Sequence, residues 1–283
     1  MKEINYFKIV TIGIISLWLI IFAFVPTIMV IGISFMERSE TGIINTIFSI
    51  NSYLSFFSST YFSIFISSFK MAFYTTILCL IIGYPFSYIL ARSNYKYKSL
   101  LALLVIIPYW TSALIRTYAI KVILTTNGIV NSLLLKIGII DTPIDMLYTQ
   151  GAVIMGLVYT LLPFMILPLY ASIEKLDNRF IEASYDLGAS KLQTFIYVIL
   201  PITTPGILAG SLLVFLPSLG LFYIPDILGG AKNILIGNLI KDQFLNSRNW
   251  PFGAAASNIL MIVMAFMLFA YYKSVKAINR KVL

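Results

Sequence analysis

The chain has 283 residues, of which 59% are hydrophobic and only 11% are charged, and it carries a net charge of +9. Because about a quarter of the residues of a soluble domain are charged, this composition favours an integral membrane protein. Histidine is absent and Cys79 is the single cysteine, which excludes disulfides, Cys/His zinc sites and histidine-based catalysis.

Charge-free runs predict an all-α protein with six transmembrane helices. A spanning helix needs about 20 mostly apolar residues. The first run is too long for a signal-peptide core and no A-x-A cleavage site follows it, so we expect it to be retained. The predicted spans are 9–35, 63–91, 99–121, 149–172, 204–228 and 252–273.

The predicted domain organisation is a single membrane protein without a separate soluble domain. The first helix and an outer loop occupy 1–62. The transmembrane core occupies 63–273, and 274–283 form a tail.

Lysines and arginines predict the orientation of the chain in the membrane. If the N-terminus is inside, the inner segments hold 12 of the 20 basic residues. These inner segments are 1–8, 92–98, 174–201 and 273–283. This positive-inside pattern predicts that both termini are cytoplasmic, and it explains the net charge without a nucleic-acid partner.

Prolines interrupt most of the predicted spans. Kinks of this kind are tolerated in membrane helices when neighbouring groups satisfy the freed carbonyls, which is one interpretation. The other is that broken helices line a transport path. The fifth span holds Pro217 and Pro225 together, so it is the first candidate for such a path.

The segment 174–203, between the fourth and fifth spans, predicts two short helices. Asp177 is the predicted N-cap of the first helix, and Gly188 its stop. Ser190 and Gln193 form a capping box for the second. Each helix has an apolar face. These faces comprise Phe180, Ala183 and Leu187 in the first helix, and Leu192, Phe195, Ile196 and Ile199 in the second.

The fifth span is predicted to begin after a proline break. Pro201 disfavours a helical conformation at the residue before it, so the second short helix should end by Leu200. Thr204 is then the predicted cap of the span, with Pro205 at its first helical position.

Glu182 and Asp186 are four residues apart on the first short helix. A like-charge pair at this spacing costs ~0.2–0.5 kcal/mol in an isolated helix. A cation on another chain would offset that cost. Alternatively, the pair lies on a solvated face and Arg179 offsets Glu182.

These residues fit a motif of a known family. Permeases of bacterial ABC importers carry the cytoplasmic signature E-A-A-x3-G-x9-I-x-L-P. This chain has Glu182-Ala183-Ser184, then Gly188 after three residues, and Val198-Ile199-Leu200-Pro201 after nine more. The spacing is the same throughout, and Ser184 and Val198 are the two departures.

Longer stretches resemble the permeases of spermidine/putrescine importers over most of the chain. Examples are LVYTLLPFMILPLYASIEKLD, LPSLGLFYIPDILGGAKN and GNLIKDQFLNSRNWPFGAA. The resemblance implies the type I ABC importer permease fold, with a cytoplasmic coupling helix in the segment 174–203. It also implies a location in the bacterial cytoplasmic membrane.

The same resemblance implies an assembly and a division of labour. The family works as two homologous permeases, two ATPase subunits and an external polyamine-binding protein. Glu182, Ala183, Asp186 and Gly188 are the residues expected to dock the ATPase. No cofactor is expected in this chain, because ATP and Mg²⁺ bind the ATPase and no G-x-x-x-x-G-K-[ST] loop occurs here.

Residues near the outer end of the fifth span suit a polyamine. Asp226 follows Pro225, and an ionisable residue at membrane depth is a functional candidate. Phe222 lies four residues before Asp226, with Tyr223 beside it, and aromatic faces bind ammonium groups. Alternatively, Asp226 forms a structural ion pair with Lys232 or Lys241. Lys241 could also neutralise an empty site and yield to substrate.

Other candidates for the substrate path are weaker. Tyr109 and Trp110 follow Pro108, but aromatic residues in this position more often form an aromatic belt at the membrane interface. Asp141 and Asp145 are expected to be loop residues or contacts to the binding protein. Arg116 and Lys121 are expected to snorkel to the outer surface.

Rival functions remain open. A related type I importer could carry iron, sulfate, thiamine or an amino acid, although Asp226 and its aromatic neighbours favour a cation over sulfate. A secondary transporter or channel would not need the signature at 182–188. An enzyme is disfavoured because neither a nucleophile–base pair nor a metal cluster is evident.

Overall fold

The computed structural model describes residues 6–39, 44–93, 96, 98–230 and 233–282. Most of these residues are helical, and one antiparallel pair of strands is formed by β1 (Met36–Glu37) and β2 (Asn45–Phe48). Within the described residues six helical stretches are long and apolar enough to cross a membrane, which confirms the predicted class. They are Val10–Ser34, Ser59–Arg92, Ala113–Ile137, Gln150–Glu174, Lys191–Gly220 and Trp250–Lys276.

The α-helices are numbered in chain order. They are α1 (Tyr6–Leu19), α2 (Val25–Ser34), α3 (Asn51–Phe56), α4 (Ser59–Arg92), α5 (Lys98–Leu104), α6 (Ala113–Leu124), α7 (Ile129–Ile137), α8 (Gln150–Glu174), α9 (Asn178–Asp186), α10 (Lys191–Thr194), α11 (Leu200–Gly220), α12 (Ile236–Leu245) and α13 (Trp250–Val282). Three π-helical segments, Ile20–Phe24, Phe195–Ile199 and Pro225–Gly229, and a 3-10 turn, Ile107–Trp110, complete the helical structure of the described residues.

The chain forms two compact units. The first contains Met1–Ser63 and Leu239–Val263, and the second contains Ile64–Asn238 and Met264–Leu283. In the first unit, the Asn258 amide donates to Ser34 Oγ at 2.9 Å and to Tyr53 Oη at 3.2 Å, which joins three helices through a polar contact. The predicted division at 62/63 and 273/274 stays a prediction.

Helix α8 is at the centre of the second unit. One side of it is an apolar stripe in which every residue is at most 1% exposed, namely Leu157, Leu161, Met165, Leu169 and Ile173. Their spacing of four places them on one face of the helix. Helix α11 packs along α8. A Cβ on Gly206 would lie 2.5 Å from Ser172 Cβ, and one on Gly210 would lie 2.8 Å from Met165 Sδ, so these two residues, the glycine face of α11, allow the helices to approach closely.

The predicted third span, 99–121, is broken in the structure. It divides into α5, the 3-10 turn around Pro108 and α6, because proline cannot donate the next helical hydrogen bond. The long apolar stretch instead runs from Ala113 to Ile137 and includes α7. Part of the predicted outer loop 122–148 is therefore helical.

The predicted break at Pro201 is wrong. The chain stays helical from Lys191 to Gly220 because a π-helical turn precedes the proline. Leu200 N–H donates to the Phe195 carbonyl, five residues back. This wider turn accommodates a residue that cannot donate a hydrogen bond. Thr204 is consequently inside a helix rather than at its cap, and its hydroxyl donates to Leu200 O at 2.9 Å.

Candidate functional site

Helix α9 begins and ends as the sequence predicts. Asp177 Oδ1 accepts a hydrogen bond from Arg179 N at 3.0 Å, which confirms the N-cap. The Arg179 side chain also binds Asp177, at 2.6 Å, and these bonds hold the pKa of the Asp177 carboxyl below its usual value. Gly188 follows the helix with φ +82°, a conformation that glycine adopts at little cost. The predicted stop is thus confirmed.

The start of α10 is a capping box. Gln193 N donates to Ser190 Oγ at 3.3 Å, and Ser190 N donates to Gln193 Oε1 at 2.8 Å. Both backbone donors at this helix start are therefore satisfied by side chains, as predicted.

The solvent-exposed surface of the segment 174–203 carries both acidic and apolar side chains. Glu182 and Asp186 are exposed, and neither has an ion pair or hydrogen bond to another side chain in the described part of the chain. Their exposure agrees with the alternative of a solvated face, but Arg179 binds Asp177 rather than Glu182. Leu187 is 89% exposed, and Phe180 and Leu192 are also exposed. The predicted apolar stripes thus leave large side chains uncovered by this chain.

A buried polar contact joins the two short helices. Ser184 Oγ and Thr194 Oγ1 lie 2.8 Å apart across the Gly188 turn, and Ser184 Oγ also lies 2.7 Å from the Ile181 carbonyl. Both residues are buried. Ser184 is the position at which this chain departs from alanine in the family signature. The hydroxyl therefore links α9 to α10 through a buried hydrogen bond, a contact that sequence reasoning missed.

The second candidate region lies beyond the end of α11. The backbone turns at Leu221, and Asp226 N then donates to Phe222 O at 3.1 Å, so these two residues share a helical turn as predicted. The rings of Phe222 and Tyr223 meet edge to face, with centroids 6.2 Å apart. Phe222 and Asp226 are exposed, whereas Tyr223 is half-buried.

Asn238 holds this turn in place. Its side-chain amide donates to the Asp226 carboxylate and, at 2.8 Å, to Phe222 O. Its side-chain oxygen accepts from Leu235 N at 3.2 Å, and the residue is only 3% exposed. Sequence reasoning missed Asn238, since the only signal was an amide within an apolar stretch at the start of α12.

Tyr109 is at the centre of a cluster drawn from distant parts of the sequence. Its ring meets the Phe164 ring edge to face, with centroids 5.0 Å apart. The Arg116 guanidinium carbon lies 5.0 Å from the centre of the Tyr109 ring. Tyr223 is close enough to Tyr109 and to Arg116 to interact with both electrostatically. The structure thus brings two predicted path residues together and adds two that were not predicted.

The basic residues of α6 do not both behave as expected. The expectation that Arg116 snorkels is wrong, because the residue is only 9% exposed and lies against Tyr109. Lys121 Nζ lies 5.8 Å from the centre of the Tyr148 ring. A charge inside an apolar run was the signal that could have identified Arg116.

The remaining candidates lie outside this cluster or cannot be assigned to it. Trp110 is 78% exposed, which favours the aromatic-belt interpretation. Lys241 Nζ binds Asp242 Oδ1 at 3.2 Å, and its pairing with Asp226 stays a prediction. Lys232, the alternative partner, lies outside the described residues.

The two outer-loop aspartates are exposed. Asp145 accepts a hydrogen bond from Thr126 Oγ1 at 3.2 Å and lines a cavity of about 360 Å³ together with Tyr148. For Asp141, the predicted loop position agrees with its exposure. Contact of either residue with a binding protein stays a prediction.

Comparisons with known proteins agree on one family. Residues 83–282 match the family described as binding-protein-dependent transport system inner membrane component. The spermidine/putrescine transport system permease protein PotB of Escherichia coli K12 is 52% identical over 94% of this chain and 96% of its own length. The protein of the same name from Haemophilus influenzae is 50% identical over 98% of this chain and 97% of its own length.

Solved structures share the fold. A chain of the bacterial alginate ABC transporter, crystallised with an alginate-bound periplasmic protein, superposes with a TM-score of 0.77 at 15% identity, covering 94% of this chain and 93% of that one. A chain of the MetNI methionine ABC transporter in an inward-facing conformation gives a TM-score of 0.56 at 19% identity, covering 78% of this chain and 99% of that one.

Proposed function

Because the chain belongs to the family of binding-protein-dependent transport system inner membrane components, we propose that it is the permease subunit of an ATP-driven spermidine/putrescine importer. It is a multi-pass protein of the inner membrane and is not itself the ATPase of the transporter. The observation that carries the substrate class is the identity of about half over nearly the full length of the PotB permeases.

The segment 174–203 is the proposed contact with the ATPase. Glu182, Ala183 and Asp186 are exposed on α9, and Gly188 ends the helix without bringing a side chain into the turn. Unpaired carboxylates beside exposed apolar side chains make a surface that a basic, apolar groove on another chain would complement. The cation for Glu182 and Asp186 then belongs to the ATPase.

The helix that follows provides a mechanical connection. From Lys191 to Gly220 it is continuous over 30 residues, which corresponds to about 45 Å at 1.5 Å per residue. Movement of α10, driven by closure of the ATPase pair, would be transmitted along this helix to the turn that carries Phe222, Tyr223 and Asp226. The glycine face of α11 lets this helix pack closely against α8.

The region around Phe222, Tyr223 and Asp226 is the proposed path for the amine, with Tyr109 contributing a further ring and Lys241 as the proposed counter-cation of the empty site. A carboxylate supplies the charge partner for an ammonium, and the rings supply faces for cation–π contact and for the methylene spacers. Asn238 keeps the Asp226 carboxylate oriented. Trp110 is exposed and is therefore assigned to the membrane interface rather than to the path.

The proposed assembly contains a second homologous permease, two ATPase subunits and an extracytoplasmic polyamine-binding protein. ATP and Mg²⁺ bind the ATPase, and this chain holds no cofactor of its own. The distribution of basic residues supports both termini being cytoplasmic.

Reconstitution tests the function. The full complex, placed in liposomes with ATP inside and binding protein outside, should accumulate radiolabelled spermidine and putrescine. Accumulation should stop when ATP or the binding protein is omitted. If neither polyamine accumulates while thiamine, an amino acid or ferric iron does, the chain serves a related importer and the proposed substrate is wrong.

A further inference from the structure

Arg116 is a buried cation without a conventional partner. The residue is 9% exposed, and within the described residues no carboxylate pairs with it. Its Nε–H is buried and has no hydrogen-bond acceptor there. Burying an unpaired charge is costly, so such groups in membrane proteins face a functional cavity or path far more often than they merely fill space.

The contact that Arg116 does make is with an aromatic face. Its guanidinium lies over the Tyr109 ring, which also meets Phe164, and Tyr223 is within electrostatic range. Aromatic faces bind guanidinium and ammonium groups by the same attraction between a cation and the ring quadrupole. Arg116 therefore occupies the kind of site that an amine substrate would use.

Helix α6, which carries Arg116, also packs against the Pro225–Gly229 segment that carries Asp226. The aromatic face and the carboxylate are thus on adjoining elements. A cation with one charge would meet the repulsion of Arg116 without compensation. A polyamine has a second ammonium that can bind a carboxylate, and this attraction offsets the repulsion.

We propose that Arg116 is a specificity-determining residue, a resident cation on the Tyr109 ring that substrate ammonium groups must displace. Resting on the proposed polyamine function, this assigns to Arg116 a penalty on amines that grows with the number of their ammonium groups. The residue raises the barrier for every cation, and each additional ammonium of the substrate adds to the repulsion.

The test compares spermidine with putrescine, which differ by one ammonium group, in the reconstituted full complex. The same binding protein serves all variants, so a change in the spermidine/putrescine uptake ratio arises in the membrane complex. We expect Arg116→Gln and Arg116→Met to raise this ratio about threefold or more, because the repulsion that they remove is larger for the more highly charged amine. Arg116→Lys keeps the charge and should leave the ratio within about twofold of wild type.

Lys121→Gln is the matched control. It removes a second cation from the same helix, one that lies over the more exposed ring of Tyr148. The ratio should stay unchanged in this variant.

The inference is wrong if Arg116→Gln transports both amines in the wild-type ratio. It is also wrong if neither Arg116→Gln nor Arg116→Met assembles while Lys121→Gln does, because Arg116 is then a structural cation paired with another chain. Failure of the wild-type complex to transport any polyamine is a different result, which contradicts the proposed function itself.

Discussion

The segment 174–203 and the region around Tyr109 and Asp226 (the Tyr109–Asp226 region) differ in which parts of the chain supply their contacts. In the former, the Asp177 cap, the Ser190 box and the Ser184–Thr194 contact each join residues at most ten positions apart. Helix α4 attaches this segment to the rest of the chain, since Arg92 binds Asn178 and the Tyr84 ring meets Phe195. In the latter, Tyr109 meets Phe164 and Arg116, and Asp226 is held by Asn238. A segment whose shape is set by local contacts can present a defined surface to another chain. A region built from distant elements changes when those elements shift.

This difference makes the expected effects of substitutions distinct. Changes in the local segment should act on the angle and surface of one small body, with the rest of the fold unaffected. Changes in the Tyr109–Asp226 region should act on substrate passage. The following three experiments test that division, in order of decreasing effect.

Gly188 should give the largest effect. No described atom lies within 4 Å of a Cβ added there, so only the positive φ penalises a side chain within this chain. Gly188→Val should lower polyamine uptake tenfold or more, because a β-branched residue loses ~1–2 kcal/mol in this conformation. The ATPase activity of the complex should persist without transport.

Gly188→Asn is the matched control, because asparagine tolerates a positive φ. If Asn and Val abolish uptake equally, a side chain at 188 clashes with another chain, and backbone conformation is not the cause. Normal uptake by Gly188→Val, with the protein present in the membrane at wild-type level, would remove the residue from the coupling mechanism.

Asp226 should give the next largest effect. Asp226→Asn removes the charge but keeps an acceptor for the Asn238 amide, and we expect uptake to fall about tenfold, which corresponds to ~1.4 kcal/mol. Asn238→Ala keeps the charge and removes its support, so a smaller loss of about threefold is expected. Initial uptake rates over a range of concentrations of liganded binding protein measure both losses. Unchanged kinetics in Asp226→Asn would reduce this carboxylate to a structural role.

The Ser184–Thr194 contact should give the smallest effect. Ser184→Ala restores the residue of the family signature but leaves the Thr194 hydroxyl buried without this partner, at a cost of ~1 kcal/mol in stability. A lower melting temperature of the purified complex, with uptake within about twofold of wild type, is the expected result. Adding Thr194→Val should recover most of the loss. A transport defect that the second substitution does not relieve would contradict a purely structural role.

The local features were predictable because their signals are adjacent in the sequence. Caps, a glycine stop and a charge-free run each depend on a few neighbouring residues, so α9, α10 and the class of the fold follow directly from the sequence. Each of these follows from helix geometry rather than from the arrangement of helices.

What could not be predicted depends on contacts between separate helices and turns. Arg116 was expected to reach the surface because it lies near the end of a predicted span, but that span breaks at Pro108 and the side chain turns onto Tyr109. Asn238 has no local signal that links it to Asp226. The break predicted at Pro201 failed for a different reason, since a rule for the α-helix does not foresee a π-helical turn.

That π-helical turn has a consequence for the phase of the helix. Successive residues of an α-helix are rotated by about 100°, and a π-turn contains one residue more than the α-turn it replaces. Removing one residue from Phe195–Ile199 would therefore rotate α10, and with it the carboxylates of α9, by about 100° relative to the glycine face of α11. The direction in which this protein presents Glu182 and Asp186 thus depends on the number of residues in that turn, whichever amino acids form the turn.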